Sequence, residues 1–384
     1  MITYLKNVSI QKGSVCLLRV DLNIESLKDV FRIDSIVPTM KFLRKKGVTV
    51  VILSHRGRPH PEGRGILNFK YSVSDEEKKK YTLKPFANIL SKKVGEKVKF
   101  IDKSDIHEIK EGIQNSHEKI FLLENMRFWR EEEMDNAEFA RHLASLGDFY
   151  VNDAFAVNHR ADTSVSAITR FLPSYGGLLL EKELEHLDVV MHNPKHPFTI
   201  LLGGAKVVDK VGVVKFFWKK ADSFLFGGGA ANTCLAARGV SVGNSLIDEK
   251  AFDDIRPYLA SLKIHLPVDN VSMENRIFDI GPQAIAEYTN IIANAKTILW
   301  SGPMGLFEKK KFSSGTREMW RAIIKLANKD KTATIIIGGG ETIASLKLLG
   351  AHYKLPKNIF LSTGGGAMLT YLSGEKLPGI EALR

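Results

Sequence analysis

Nine short apolar runs rich in β-branched residues constrain this chain more than any other feature: SVCLLRV from Ser14, VTVVIL from Val48, KIFLL from Lys119, DFYVN from Asp148, FTILL from Phe198, SFLF from Ser223, TILW from Thr297, TATIII from Thr332 and NIFLS from Asn358. Their hydrophobicity is continuous rather than alternating, the mark of strands covered on both faces. Helical patterns separate them. From Asp34 to Lys46, Ile36, Val37, Met40 and Leu43 share one face behind a predicted Asp34 N-cap. Strand and helix in alternation fold as parallel α/β sheets. Roughly five strands before Phe171 and roughly six after Pro197 suit two doubly wound, Rossmann-like domains better than one barrel.

The stretch FLPSYGGLLLEKELEHLDVVMHNPKHP from Phe171 is bounded by Pro and Gly and places Leu180, Leu184 and Leu187 on one helical face. It reads as a connecting hinge helix. The expected boundaries are therefore 1–172, a hinge at 173–196, a second domain at 197–370, and a tail at 371–384 packing near the hinge or the first domain. The charge-rich segment Pro59 to Pro85 is aperiodic and reads as a long surface loop, with a lid as the alternative.

A chain of 384 residues with 44% hydrophobic and 26% charged residues fits a folded, water-soluble protein. The uncharged stretch Ser223 to Ala237 contains three consecutive glycines and is shorter than a membrane span of about 20 residues. The N-terminus lacks the order of a signal peptide. Cys16 and Cys234 form neither a zinc spacing nor a disulfide framework, which suits a cytoplasmic protein with two small core thiols. The net charge of +12 admits anionic partners, yet the excess is even, +6 on either side of residue 170. That distribution favours arginines serving small anions over a nucleic-acid surface.

Glycines cluster at strand-to-helix turns of the second half: GGAK at Gly203, GGG at Gly227, GGGET at Gly338 and TGGGA at Thr363. Such turns free backbone N–H groups for phosphates. No Walker loop or complete GxGxxG accompanies them, and any single GGG is more often close helix–strand packing. In the first half the candidates at strand ends are basic: Arg19 and Asp21 in RVDLN, Arg32 in FRID, SHRGRP from Ser54, Arg127 in LLENMRF, and His159 with Arg160. Converging arginines require an anion, and their planar fork suits phosphate or carboxylate. His55 and His159 lack a nucleophile or metal spacing. Asp209, Glu308 and Glu341 could face a ribose or a magnesium ion.

Together RVDLN, SHRGRP, LLENMRF, NDAF…HR, GGAKVVDK, GPMGLFE, GGGET and STGGGA, in this order over nearly the whole chain, resemble the phosphoglycerate kinase family. The resemblance implies a two-domain, cytoplasmic, monomeric enzyme that transfers a phosphoryl group between MgATP and the carboxylate of 3-phosphoglycerate. It implies a 3-phosphoglycerate site of Asp21, Leu22, Asn23, Arg32, His55, Arg56, Gly57, Arg58, Arg127 and Arg160. It implies a nucleotide site of Lys206, Lys210, Glu308 at the ribose, and Gly339, Gly340, Glu341 and Thr342 at the phosphates, with Glu341 at Mg2+. Arg32 and Lys206 correspond to the pair that stabilises the phosphoryl group in flight. Neither nucleic acid nor a membrane is implied as a partner.

Four positions depart from the family pattern: Glu341 for Asp, Ser301 for Asn, Ile277 for Gly and Asp162 for His. Arg56 adds a charge where Leu is common. Alternative readings are a binding protein derived from the fold, or a kinase for another carboxylate.

Overall fold

The computed structural model describes residues 1–24, 30–60, 69–350 and 353–384. They divide into two compact units, residues 1–183 with 376–384, and residues 184–375.

In the first unit, β1 (Val15–Arg19), β2 (Thr49–Leu53), β3 (Val98–Ile101), β4 (Ile120–Leu123), β5 (Phe149–Asn152) and β6 (Ser174–Gly176) form one sheet in the order β3-β4-β2-β1-β5-β6. Every pairing is parallel. Leu18, Val50, Ile52, Leu122 and Val151 meet Ile33, Ile36 and Met40 of the helix Phe31–Lys45 in its core. That helix starts three residues ahead of the predicted Asp34 cap. Val30 occupies the cap position without a side-chain bond, and Asp34 lies in the first turn, where its charge complements the helix dipole.

In the second unit, β7 (Phe198–Leu202), β8 (Ser223–Phe226), β9 (Ile264–His265), β12 (Thr297–Ser301), β13 (Thr334–Gly338) and β14 (Ile359–Leu361) form a parallel sheet in the order β14-β13-β12-β7-β8-β9. Between β9 and β12, the strands β10 (Asn270–Met273) and β11 (Arg276–Ile280) make an antiparallel hairpin. Its turn residues Glu274 and Asn275 both have positive φ, at 51° and 55°, the twist of a tight hairpin. Trp300 and Trp320 pack edge to face at 4.9 Å in the core.

All nine apolar runs carry strands. The pattern passed over β3, β6, β9 and the hairpin, which are either half-exposed or only two or three residues long. The segment predicted as a loop contains the helix Asp75–Tyr81, capped by Ser74, whose hydroxyl accepts the Glu77 N–H. Acids fill its first turn and lysines its last, so the charges that resembled a solvated excursion complement a helix dipole. Residues 61–68 of that segment lie outside the described residues.

The predicted hinge stretch is divided. Residues 174–176 are β6 of the first sheet, and the helix Leu178–His192 runs through the division of the chain at residues 183 and 184. Residues 376–384 belong to the first unit, where the Gly379 N–H donates to the Asn158 carbonyl at 3.0 Å.

Candidate active site

Parallel strands deliver their carboxyl ends to one edge of a sheet, and open α/β sheets bind ligands there. In the first unit this edge is tied together by Ser54, just past β2. Its hydroxyl accepts the Leu22 N–H at 2.9 Å and donates to the Val20 carbonyl at 2.8 Å. Asp21 then receives Arg32 NH1 at 2.6 Å, and the same nitrogen donates to the Asn23 carbonyl at 3.1 Å. The side-chain oxygen of Asn23 accepts the Gly57 N–H at 2.8 Å. Gly57 sits at φ +66°, and a Cβ there would collide with the Tyr81 ring, so only glycine carries the chain through.

Arg127 is buried beside this loop, 2% exposed. Its NH1 donates to the Gly57 carbonyl at 2.7 Å, while Nε and NH2 have no hydrogen-bond partner. Its carboxylate neighbours are Glu133 at 3.3 Å and Asp162 at 3.9 Å. Arg160 lies 3.7 Å from the same Glu133 oxygen. Burial holds the Arg127 pKa below its ordinary value and raises that of Asp162. Burial likewise holds the His55 imidazole well below the usual histidine range, aided by the charges of Arg19, Arg127, Arg160 and Arg32. His159 is partly buried, and its Nδ1 has no hydrogen-bond partner.

These basic groups therefore converge, with two exceptions to a uniform reading. Arg58 is exposed. The Arg56 guanidinium reaches the Lys80 and Thr82 carbonyls at 3.4 Å and lies 5.7 Å from the Phe86 ring centre. Those carbonyls close the helix Asp75–Tyr81, whose negative end accounts for a cation at this position.

In the second unit the glycine turns interlock. The Gly203 and Gly204 N–H groups donate to the Ser301 and Pro303 carbonyls, and Gly228 N–H donates to Met304. A Cβ on Gly203 would strike the Pro303 carbonyl oxygen. The Thr342 hydroxyl, fully buried, accepts the Gly302 N–H at 2.7 Å. Glu341 is exposed beside it, its carboxylate 3.7 Å from where a Gly204 Cβ would stand.

These turns enclose a cleft of about 270 Å³ lined by backbone at Gly204, Ala205, Gly228 and Gly229, by Glu308 and Glu341, and by an apolar wall of Leu246, Ile277, Phe278 and Leu306. Ile277 is held by its N–H on the Ser245 hydroxyl at 2.8 Å and adds to that wall. Lys206 is exposed on the first turn. Lys210 is buried, donates to the Lys206 carbonyl, and has its pKa pushed down to about 8 by burial. It braces the turn from behind.

Arg276 and Asn232 also line this cleft. Sequence reasoning missed both, because the hairpin that carries Arg276 leaves no apolar periodicity. Among the described residues no three His, Cys, Asp or Glu side chains cluster as a protein metal centre. A magnesium ion held by one carboxylate and nucleotide phosphates requires none, and Glu341 fits that role.

Among the described residues, no helix is long and apolar enough to cross a membrane. The family model of phosphoglycerate kinase matches residues 5–375. Phosphoglycerate kinase of Dictyoglomus turgidum is 36% identical, covering 97% of this chain and 96% of the relative. That of Lactobacillus acidophilus is 38% identical over 97% and 96%. Among solved structures, phosphoglycerate kinase from Coxiella burnetii aligns at a TM-score of 0.79 with 32% identity, covering 100% and 99% of the two chains. The Pyrococcus horikoshii enzyme aligns at 0.83 with 29% identity, covering 100% and 98%. The chain thus belongs to the phosphoglycerate kinase family, glycolytic enzymes that transfer a phosphoryl group between 1,3-bisphosphoglycerate and ADP.

Proposed function

We propose that two sites share the work of this reaction: the basic cluster of the first unit takes 3-phosphoglycerate, and the glycine-turn cleft of the second takes ATP. The observation that carries the reading is the convergence of Arg127, only 2% exposed, and Arg160 on one Glu133 oxygen beside His55, since cations brought this close are unfavourable unless an anion joins them. Arg127, Arg160, Arg58 and His55 then hold the remote phosphate. Asp21, Leu22, Asn23, Arg56 and Gly57 set the loop and aim Arg32.

In the cleft, the apolar wall suits a flat base, Glu308 a ribose, and the Gly339–Thr342 turn the phosphates. A magnesium ion held by Glu341 would neutralise phosphate charge. The acceptor carboxylate oxygen attacks the γ-phosphorus as the bond to the β–γ bridging oxygen breaks, releasing ADP. Arg32 and Lys206 stabilise the equatorial oxygens, and Lys210 holds the turn that carries Lys206. Little covalent help is needed, because positioning and charge neutralisation dominate such transfers. The helix Leu178–His192 serves as the hinge. The enzyme acts as a cytoplasmic monomer, a reading supported by the 36%-identical relative from Nicotiana tabacum named as cytosolic and by a separate core in each unit.

A coupled assay with 3-phosphoglycerate and MgATP tests this assignment. Turnover should vanish on chelation, and Lys206→Ala should lower kcat by about 10² to 10³ with a smaller change in KM. An unchanged kcat in that variant would refute the role given to Lys206.

A further inference from the structure

Beneath the basic cluster of the first unit lies a second layer of polar groups: Arg19, Glu132 and Ser164 are fully buried, and His55 is 1% exposed. They form one connected chain. Glu132 accepts the Ser164 hydroxyl at 2.5 Å on one oxygen and the Ser164 N–H at 2.9 Å on the other. The Ser164 hydroxyl oxygen in turn accepts Arg19 Nε–H at 2.8 Å. Arg19 NH1 donates to the Val20 carbonyl at 2.6 Å, and NH2 lies 3.3 Å from His55 Nδ1 and 3.7 Å from Glu132. Every nitrogen of this guanidinium is thereby placed.

A guanidinium has donors and no acceptor. The His55 Nδ1 that faces it must therefore accept, which leaves the ring proton on Nε2. A doubly protonated ring would set donor against donor. The charges that act on His55 from neighbouring elements, Arg19, Arg127, Arg160 and Arg32, are all positive and favour the same neutral form.

We propose that Glu132 is a positioning residue for acceptor binding: through Ser164 and Arg19 it holds His55 as the neutral Nε2–H tautomer, so that the ring offers 3-phosphoglycerate one fixed donor. The inference rests on the reading of this cluster as the 3-phosphoglycerate site. Its physical sense lies in charge. A donor is supplied among four arginines without a further cation, and the arginines alone set the charge that recognises the anion.

Nitrogen-15 spectra of the histidine-labelled full chain test it, with the His55 signals assigned by their loss in His55→Gln. Glu132 faces Arg19 and Asp162, and burial with Asp162 raises its pKa above the usual carboxylate range, so spectra are recorded on the alkaline side, from about pH 7 to 9. The wild-type protein should show an unprotonated Nδ1 and a protonated Nε2. Glu132→Gln retains an acceptor for Ser164 and removes the charge. It should mix the two tautomers and raise the KM for 3-phosphoglycerate about tenfold, with kcat changed less. Ser164→Ala cuts the same chain at a second point and should do likewise.

A wild-type His55 protonated at Nδ1 would overturn the proposal. So would a raised KM in both variants with the His55 signals unmoved, since that marks a merely structural role. A wild-type enzyme inert toward 3-phosphoglycerate would count against the acceptor reading instead, while the spectrum still decides the tautomer.

Discussion

Arg127 shows how far a single side chain can be specified by its surroundings. Its NH1 is spent on Gly57, so the edge left for a ligand is Nε with NH2, which the Glu133 and Asp162 carboxylates approach at 3.3 and 3.9 Å without a hydrogen bond and which has the spacing of a carboxylate or phosphate pair. Lysine has the charge without the fork. Arg127→Lys should therefore raise the KM for 3-phosphoglycerate by about 10- to 100-fold and leave the KM for ATP near its original value. Equal changes in both constants would place Arg127 outside the acceptor site. The motif LLENMRF marked this residue, but the hydrogen bond that its guanidinium makes goes to Gly57, 70 positions away in the chain.

At the scale of elements, strand ends and helix starts decide the outcome. Asp153, one residue past β5, accepts the Leu179 and Leu180 N–H groups at 2.8 and 3.1 Å and so caps the helix Leu178–His192. Burial pushes its pKa up to about 7. The folded state then holds the proton more tightly than the unfolded chain, whose carboxyl titrates near about 4. The associated stability is present below about pH 4 and is lost as pH rises through about 7. Asp153→Asn should accordingly gain stability relative to the wild type as pH climbs across that window, by at most a few kcal/mol. Urea denaturation at several pH values measures it, and a constant difference would show that Asp153 does not titrate there.

The interlocked glycine turns make a second case. Gly203→Ala forces β7 and β12 apart at their ends, because its Cβ meets the Pro303 carbonyl oxygen. A loss of about 1–3 kcal/mol and a raised KM for ADP are expected, read by thermal melting and by kinetics. An unshifted melting temperature would mean that the turn yields freely.

At the scale of the whole molecule, the chain closes its first unit with its last nine residues. Leu377, Ile380 and Leu383 are buried there, and Gly379 packs so closely on Asn158 that a Cβ would strike the Asn158 side-chain oxygen. Deleting residues 376–384 should destabilise the first unit by on the order of 3 kcal/mol or more. Hydrogen exchange would report the loss at β1 and β5, with β12 and β13 protected as before. Equal loss in both sheets would show that the two units unfold as one.

Much of this was legible from residue order alone. Continuous β-branched runs dictate buried parallel strands wherever they occur, since only a sheet covered on both faces accommodates them, and eight ordered motifs identified the chemistry. Local sequence carries no signal for what depends on distant partners. Strands as short as β6 and β9 exist because neighbouring strands supply their hydrogen bonds. The helix Asp75–Tyr81 hid within a polar segment because its amphipathic face is slight, and Arg56 found its purpose only when that helix ended beside it. The Glu132–Ser164–Arg19–His55 chain joins residues up to 145 positions apart, and its tautomer follows from a 3.3 Å approach that tertiary packing alone produces.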